Sequence, residues 1–388
     1  MNDPIHPLDP RWVRRQLLRW YACHARNLPW RHTRDPYAIW ISEVMLQQTQ
    51  VAAVIPYFDR FLRAFPSLPA LAAADEQEVL RLWEGLGYYR RARDLHRAAR
   101  LIRAHHDGRL PDDPDVLRRL PGFGRYTANA VLSQAFDRRL PIVEANSRRV
   151  LCRLLDVRED PREAAVEERL WRAAADLLPA KCAGAFNQAL MELGAMVCTP
   201  AEPDCPRCPL AQRCAACIAG LQKVIPMRSE RGGVVHVDEV AIALRRGNRV
   251  LLVQRPDGGR WAGMWEFPHV EQEPLEPVAQ ASRRLLSALG LRGEIDGELA
   301  TIRHAVTRFR ITLTCVNARW RGGELAVGLY RDGRWLQPAE LAAFPISAPQ
   351  RRLAERLQHP SPVPGAPRRA AARRQKAGSL RDRPHIPP

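Results

Sequence analysis

Apolar residues recur at helical spacing from about Pro10 to Cys217, broken at Pro66-Ser67, Gly85-Leu86-Gly87, Pro111, Pro121-Gly122 and Pro161. The pattern predicts an all-helical first half. From His236 the period changes. Residues 237–244 and 249–255 read as short apolar strands joined by a Gly247-Asn248 turn, which signals a hairpin. Residues 308–316 alternate, with Phe309, Ile311, Leu313 and Cys315 on one face and Arg308, Arg310, Thr312 and Thr314 on the other. One amphipathic helix, about 278–289, is predicted between these strands. The expected organisation is a helical domain over 1–217, a linker over 218–234, an α/β domain over 235–356 and a disordered basic tail over 357–388, rich in Pro, Arg and Ala.

The length of 388 residues suits two domains with appendages. Sixty Lys and Arg against 42 Asp and Glu give a formal charge of +18. The tail from His359 onward holds seven of those basic residues and one Asp, so the rest of the chain remains strongly basic. Such an excess favours a polyanionic partner, nucleic acid above all. No apolar run approaches membrane-spanning length, and the N-terminus carries polar residues and prolines instead of a signal core. A soluble, cytoplasmic protein with no membrane partner is expected.

The cysteines Cys198-x6-Cys205-x2-Cys208-x5-Cys214 form a tight, uneven comb that suggests metal binding. A [4Fe–4S] cluster tolerates uneven spacing, because each iron takes one thiolate from its own direction. Zinc is the alternative, although Cys205/Cys208 and Cys214/Cys217 are separated by only five residues, too few for the usual ribbon loop. The remaining cysteines, Cys23, Cys152, Cys182, Cys217 and Cys315, read as reduced thiols.

Three further segments carry chemistry. The run LPGFGRYTA at 120–128 joins two helical stretches through Gly122 and Gly124, which permit a tight turn and present amide N–H groups at the start of the next helix. Glu43 lies beside Trp40, Val44 and Leu46 on a helix capped by Asp35. Apolar surroundings raise a carboxyl pKa and keep it protonated, as a general acid requires; the alternative is a structural glutamate bonded to backbone or to an arginine. Glu144 precedes a helix that Asn146 or Ser147 is expected to cap, and would face its positive end; the alternative is a capping residue or an ion pair with Arg148. One neutral and one charged carboxyl suit cleavage of an N-glycosidic bond: the acid protonates the leaving base and the anion stabilises the positive sugar.

Together these motifs resemble the adenine DNA glycosylases of the helix-hairpin-helix superfamily. The resemblance rests on SEVMLQQTQ at 42–50, GLGYY at 85–89, the hairpin at 120–128, FNQA at 186–189, LGA at 193–195 and the cysteine comb. It implies an all-α glycosylase domain with a [4Fe–4S] loop held by Cys198, Cys205, Cys208 and Cys214, acting as a monomer on double-stranded DNA at the nucleoid. It implies that Glu43 protonates adenine, that Gln48 and Tyr88 wedge into the duplex, and that Trp30 and Arg31 border the base pocket, with Asn146 beside Glu144. Tyr126 stands where strand-nicking relatives carry a lysine nucleophile, so the resemblance implies a monofunctional hydrolase. Glu144-Ala145 replaces the family's Asp-Gly, and a displacement of about an angstrom can cost on the order of a hundredfold in rate.

The C-terminal half resembles the Nudix-like module of the same glycosylases, through LVQRP at 252–256 and WAGMWEFP at 261–268. Its helix reads RRLLSALGL at 283–291, without the glutamates that hold Mg2+ in a Nudix hydrolase, so binding without hydrolysis is expected. RHAVTR at 303–308 resembles the loop that reads 8-oxoguanine, with Thr307 keeping a hydroxyl and Arg308 replacing histidine. The expected activity is removal of adenine paired with 8-oxoguanine or guanine. A thymine or uracil mismatch glycosylase and a lesion-binding protein with weak catalysis are the two rivals.

Overall fold

The computed structural model describes residues 8–227, 233–326 and 328–358; the basic tail from residue 359 onward lies outside them. The first domain consists of α1 (Pro10–His24), α2 (Pro36–Leu46), α3 (Val51–Ala64), α4 (Leu68–Ala73), α5 (Glu76–Leu82), α6 (Arg90–His105), α7 (Pro114–Arg118), α8 (Arg125–Phe136), α9 (Ala145–Leu154), α10 (Ala164–Leu177), α11 (Ala183–Met196) and α12 (Ala215–Ile218). Among the described residues no helix is long and apolar enough to cross a membrane.

These helices build two lobes. Apolar side chains of α2 to α8, including Trp40, Phe61, Trp83 and Val131, make one core. α1 returns to pack with α9, α10 and α11 in a second core around Leu17, Leu151, Leu170 and Phe186. The chain thus enters and leaves through one lobe and inserts the other, which opens a cleft between them. Ile225 is buried in the second core, so the first part of the expected linker belongs to the helical domain. Its backbone carbonyl accepts a bond from Arg153, which fixes it there.

The second domain is a mixed seven-stranded sheet of β1 (Val235–Arg246), β2 (Arg249–Gln254), β3 (Trp265–Glu266), β4 (His269–Glu271), β5 (Leu291–Val306), β6 (Phe309–Gly323) and β7 (Asp332–Leu336). The main path runs β3-β2-β1-β6-β5, with β4 on β1 and β7 on β2. β1 and β2 form the expected hairpin, while β1 and β6 pair in parallel. α13 (Val278–Ala288) covers one sheet face through Leu285 and Leu286. α14 (Ala348–Gln358) covers the other through Leu353 and Leu357, and carries the domain slightly past its expected end.

The sheet domain is fastened to the first lobe. Met264 is buried in the helical core, Trp265 Nε1 donates to Gln77 Oε1 at 2.9 Å, and Arg351 pairs with Glu84 at 2.7 Å. This docking places the β5–β6 turn near the tips of the helical cleft.

Candidate active site

Asp35 accepts from the Tyr37 amide and starts α2, with Pro36 in its first turn. Every residue from Tyr37 to Met45 is buried, so the helix carries Glu43 into the interior. Glu43 is 3% exposed. Its Oε2 accepts from the Tyr126 hydroxyl at 2.6 Å and its Oε1 from Gln134 Nε2 at 2.7 Å. Both partners are neutral side chains of α8, neither backbone nor arginine. Burial raises the Glu43 pKa above the ordinary carboxylate value; the bonds from Tyr126 and Gln134 oppose this, and the charge of Glu144 adds to it. Burial and the two carboxylates also push Tyr126 well above an ordinary phenol, so it stays neutral.

Glu144 itself caps α9, in place of Asn146 or Ser147. A glutamate reaches two amides at once: Oε2 accepts from Asn146 N at 2.8 Å and Oε1 from Ser147 N at 2.7 Å. Ser147 Oγ accepts from the Glu144 amide at 2.8 Å, closing a reciprocal capping box. The anion thus sits at the positive end of α9. Arg148 is not its partner and pairs with Glu167 at 2.9 Å. Gly194 on α11 permits the close approach, since a Cβ there would lie 2.8 Å from the Asn146 carbonyl oxygen.

Glu43 and Glu144 come from opposite lobes and line one cleft of about 410 Å³, together with Trp30, Arg31, Gln48, Tyr126 and Asn146. That volume lies in the range of small-ligand pockets, about 300–1,000 Å³. Trp30 is buried edge-on against Phe58. Arg31 is less free than its sequence position suggests, because it grips Glu192 at 2.8 Å alongside Arg26 at 2.6 Å. Burial would raise the Glu192 pKa, but these arginine bonds hold it down at about 2. Glu192, Gln134 and Met191 escaped the sequence reading. The signal for Glu192 was a lone carboxylate among Leu190, Met191 and Leu193.

Of the residues expected to wedge the duplex, Gln48 lines this cleft and Tyr88 does not. Gln48 and Tyr88 both adopt the left-handed conformation, with φ of 56° and 50°. The two come together at the rim of a second cavity of about 610 Å³ between the domains, with Arg260, Trp261 and Thr307 opposite. Gln47 and Gln48 are common to the two cavities. Thr307 sits at the β5–β6 turn with φ 52°, and its hydroxyl bonds the Val306 carbonyl at 2.7 Å. Gly122 takes φ +76°, and Gly124 caps α8 without a side-chain acceptor. The first amides of α8 are therefore left for an acceptor from outside.

Cys198, Cys205, Cys208 and Cys214 gather beside α9. Arg153, 2% exposed, donates to Cys198 Sγ at 3.2 Å and to the Thr199 carbonyl at 2.7 Å. Arg149 donates to the Cys198 carbonyl at 2.7 Å. Burial, followed by the neighbouring Cys217, raises Cys205 to about 11; burial raises Cys208 to about 12, opposed by a backbone bond at Leu210 and aided by the other sulfurs. Thiols so crowded need a positive centre to ionise. Among the described residues no three His, Cys, Asp or Glu side chains converge on a position for one ion. Four thiols on one loop, with the Arg153 guanidinium beside Cys198 Sγ, are a soft donor set of the kind that holds an iron–sulfur cluster or zinc.

Residues 41–175 match the HhH-GPD superfamily base excision DNA repair protein model, and residues 239–356 match a NUDIX domain. The adenine DNA glycosylase of Mus musculus is 39% identical over 321 residues, covering 68% of this chain and 61% of that protein. The human adenine DNA glycosylase is 33% identical over 398 residues, covering 88% of this chain and 73% of that protein. The Buchnera aphidicola enzyme of the same name, from the Schizaphis graminum strain, is 34% identical over 256 residues, covering 66% and 74%. The chain thus spans less than two thirds of the mouse relative and more than two thirds of the human and Buchnera ones. On these matches, and with both carboxylates set in one cleft, the chain belongs to the adenine DNA glycosylase family.

Proposed function

We propose that this protein hydrolyses the N-glycosidic bond of adenine mispaired with 8-oxoguanine or guanine in duplex DNA, leaving an abasic site. The observation that carries this is the pairing of a buried, proton-retaining Glu43 with Glu144 fixed at a helix N-terminus in the same cleft. A duplex hides the scissile bond, so adenine must leave the stack, at about a few kcal/mol. Gln48 and Tyr88 at the rim fill the space it vacates, and the free amides of α8 hold a backbone phosphate.

Once adenine is seated, Glu43 gives its proton to the base, turning it into a neutral leaving group. The Glu144 carboxylate, held by Asn146 N and Ser147 N, faces the positive charge that develops on the sugar. Water then completes hydrolysis. Tyr126 occupies the place of a lysine nucleophile and stays a neutral phenol, so strand nicking is weak. Cys198, Cys205, Cys208 and Cys214 would hold a [4Fe–4S] cluster, which when bound supplies the positive centre those thiolates need. The sheet domain lacks Mg2+-binding glutamates on α13 and serves recognition, with Thr307 facing Gln48 and Tyr88 across the 610 Å³ cavity.

The test is a panel of duplexes with adenine, thymine or uracil opposite 8-oxoguanine or guanine. Release confined to adenine supports the reading. Preferential release of thymine or uracil overturns it.

A further inference from the structure

Arg91, in the first turn of α6, lies behind both rim residues. Its Nη1 donates to the carbonyls of Val44 at 2.8 Å, Met45 at 2.9 Å and Gln47. These carbonyls close the C-terminal turn of α2, where no amide of the helix can reach them. Its Nη2 donates to Thr49 Oγ1 at 3.1 Å and to the carbonyls of Leu86 at 3.4 Å and Gly87 at 3.0 Å. The guanidinium also lies 5.4 Å from the Trp83 ring centroid and 5.5 Å from that of Tyr88.

One flat cation therefore binds the loop carrying Gln48 and the loop carrying Tyr88. No carboxylate pairs with Arg91 among the described residues, and burial lowers its pKa to about 10, so it remains charged at neutral pH. A part-buried charge without a carboxylate partner is costly, and an apolar side chain would fill the space at lower cost. What an apolar group cannot do is bind oxygens of the α2 end, the Gln48 loop and the Tyr88 loop at once.

We propose that Arg91 is the positioning residue that fixes the separation of Gln48 and Tyr88, so that the two enter the duplex as one wedge. By capping α2 it also keeps that wedge in register with Glu43 on the same helix. The inference rests on the base-excision reading above.

The experiment uses the full chain and two duplexes. In one, adenine faces 8-oxoguanine; in the other, it faces a stable abasic analogue, where little force is needed to extrude it. Arg91→Lys keeps the charge and loses the fork. Its single-turnover adenine release is expected to fall about a hundredfold on the paired duplex, as for an angstrom-scale misplacement, and by less than about threefold on the abasic-opposed duplex, each against wild type. Thr49→Val removes one acceptor and is expected to show the same split in smaller measure, which keeps the test available if Arg91→Lys does not fold. Equal losses on both duplexes, or no loss on the paired one, overturn the proposal. A wild-type protein inert on both duplexes overturns the base-excision reading and this inference with it.

Discussion

Tyr126 and Glu43 meet across 2.6 Å although 83 positions separate them in the chain. The contact serves either protonation state. Tyr126 donates to the carboxylate; when Glu43 holds the proton, the phenol oxygen accepts it and can turn its own hydrogen to Met191 Sδ, 3.3 Å away. Because the bond favours the charged form, Tyr126→Phe should raise the Glu43 pKa further. A hydrogen bond to a charged group contributes about 1.5–3 kcal/mol, so the alkaline limb of the rate should move upward by about one to two pH units. A pH-rate profile of the variant checks this, and a downward shift would refute it.

Burial of Glu43 also leaves a mark on stability. Its folded pKa lies above the ordinary 4.5, so its contribution is full below that pH and declines as pH rises through the folded value. Glu43→Gln removes the ionisable group. The variant should melt higher than wild type near neutrality, with the gap in Tm narrowing toward pH 4. Scanning calorimetry across that range would expose a constant gap, the contrary result.

Glu192 should behave in the opposite sense. Its folded pKa of about 2 lies below the ordinary 4.5, so its stabilisation is present above pH 4.5 and lost as pH falls toward 2. Glu192→Gln leaves Arg31, 12% exposed, and Arg26, 34% exposed, without their anion. Removing one partner of a buried pair costs about 3–5 kcal/mol, and the partial exposure of Arg26 places this case at the low end. Denaturant melts at neutral and acid pH should show the variant destabilised at pH 7 and nearly level with wild type near pH 2.

The capping box bears on the extra methylene of Glu144. Both carboxylate oxygens are already satisfied by α9, so the longer side chain is accommodated rather than displaced. Glu144→Asp should retain the cap and change adenine release by less than about tenfold, whereas Glu144→Ala should cost about 0.5–2 kcal/mol of stability with the rate. Single-turnover kinetics of Glu144→Asp decide the point: a hundredfold gain would mean that Glu144 misplaces the charge.

α9 links the carboxylate to the cysteine loop, because Arg149 and Arg153 bind the Cys198 region from the helix that Glu144 caps. Arg153→Met should therefore loosen that loop and, if the proposed cluster is held there, lower the iron content of the purified protein. Iron and sulfide analysis of purified protein, with visible absorbance, checks this. Full iron content would show that the arginine is dispensable.

The burial of Glu43 was legible because Trp40, Val44 and Leu46 surround it on one short helix. The β1–β2 turn was legible because Gly247-Asn248 leaves the chain few choices. The parallel pairing of β1 with β6 was not, since alternation fixes which face is buried but not which strand is adjacent. Capping by Glu144 is only the alternative reading in the sequence, because glutamate is a less common cap than Asn or Ser and its reach to two amides depends on the backbone entering at the right angle. The grip of Arg26 and Arg31 on Glu192 spans more than 160 positions and needs the two ends of the domain to meet. The sequence reads 303–308 as a loop, but residues 303–306 extend β5 and only Thr307 and Arg308 turn, with a Thr307 φ of 52° that no sequence pattern specifies.

On the proposed mechanism, Glu43 delivers the proton that releases adenine. The most direct test is single-turnover adenine release from a duplex carrying 8-oxoguanine opposite, comparing wild type with Glu43→Gln at neutral pH. Wild type should release adenine and the variant should lose about 10²–10⁴ of that rate, with duplex affinity retained. Undiminished release by Glu43→Gln, or tight binding without any release by wild type, would contradict it.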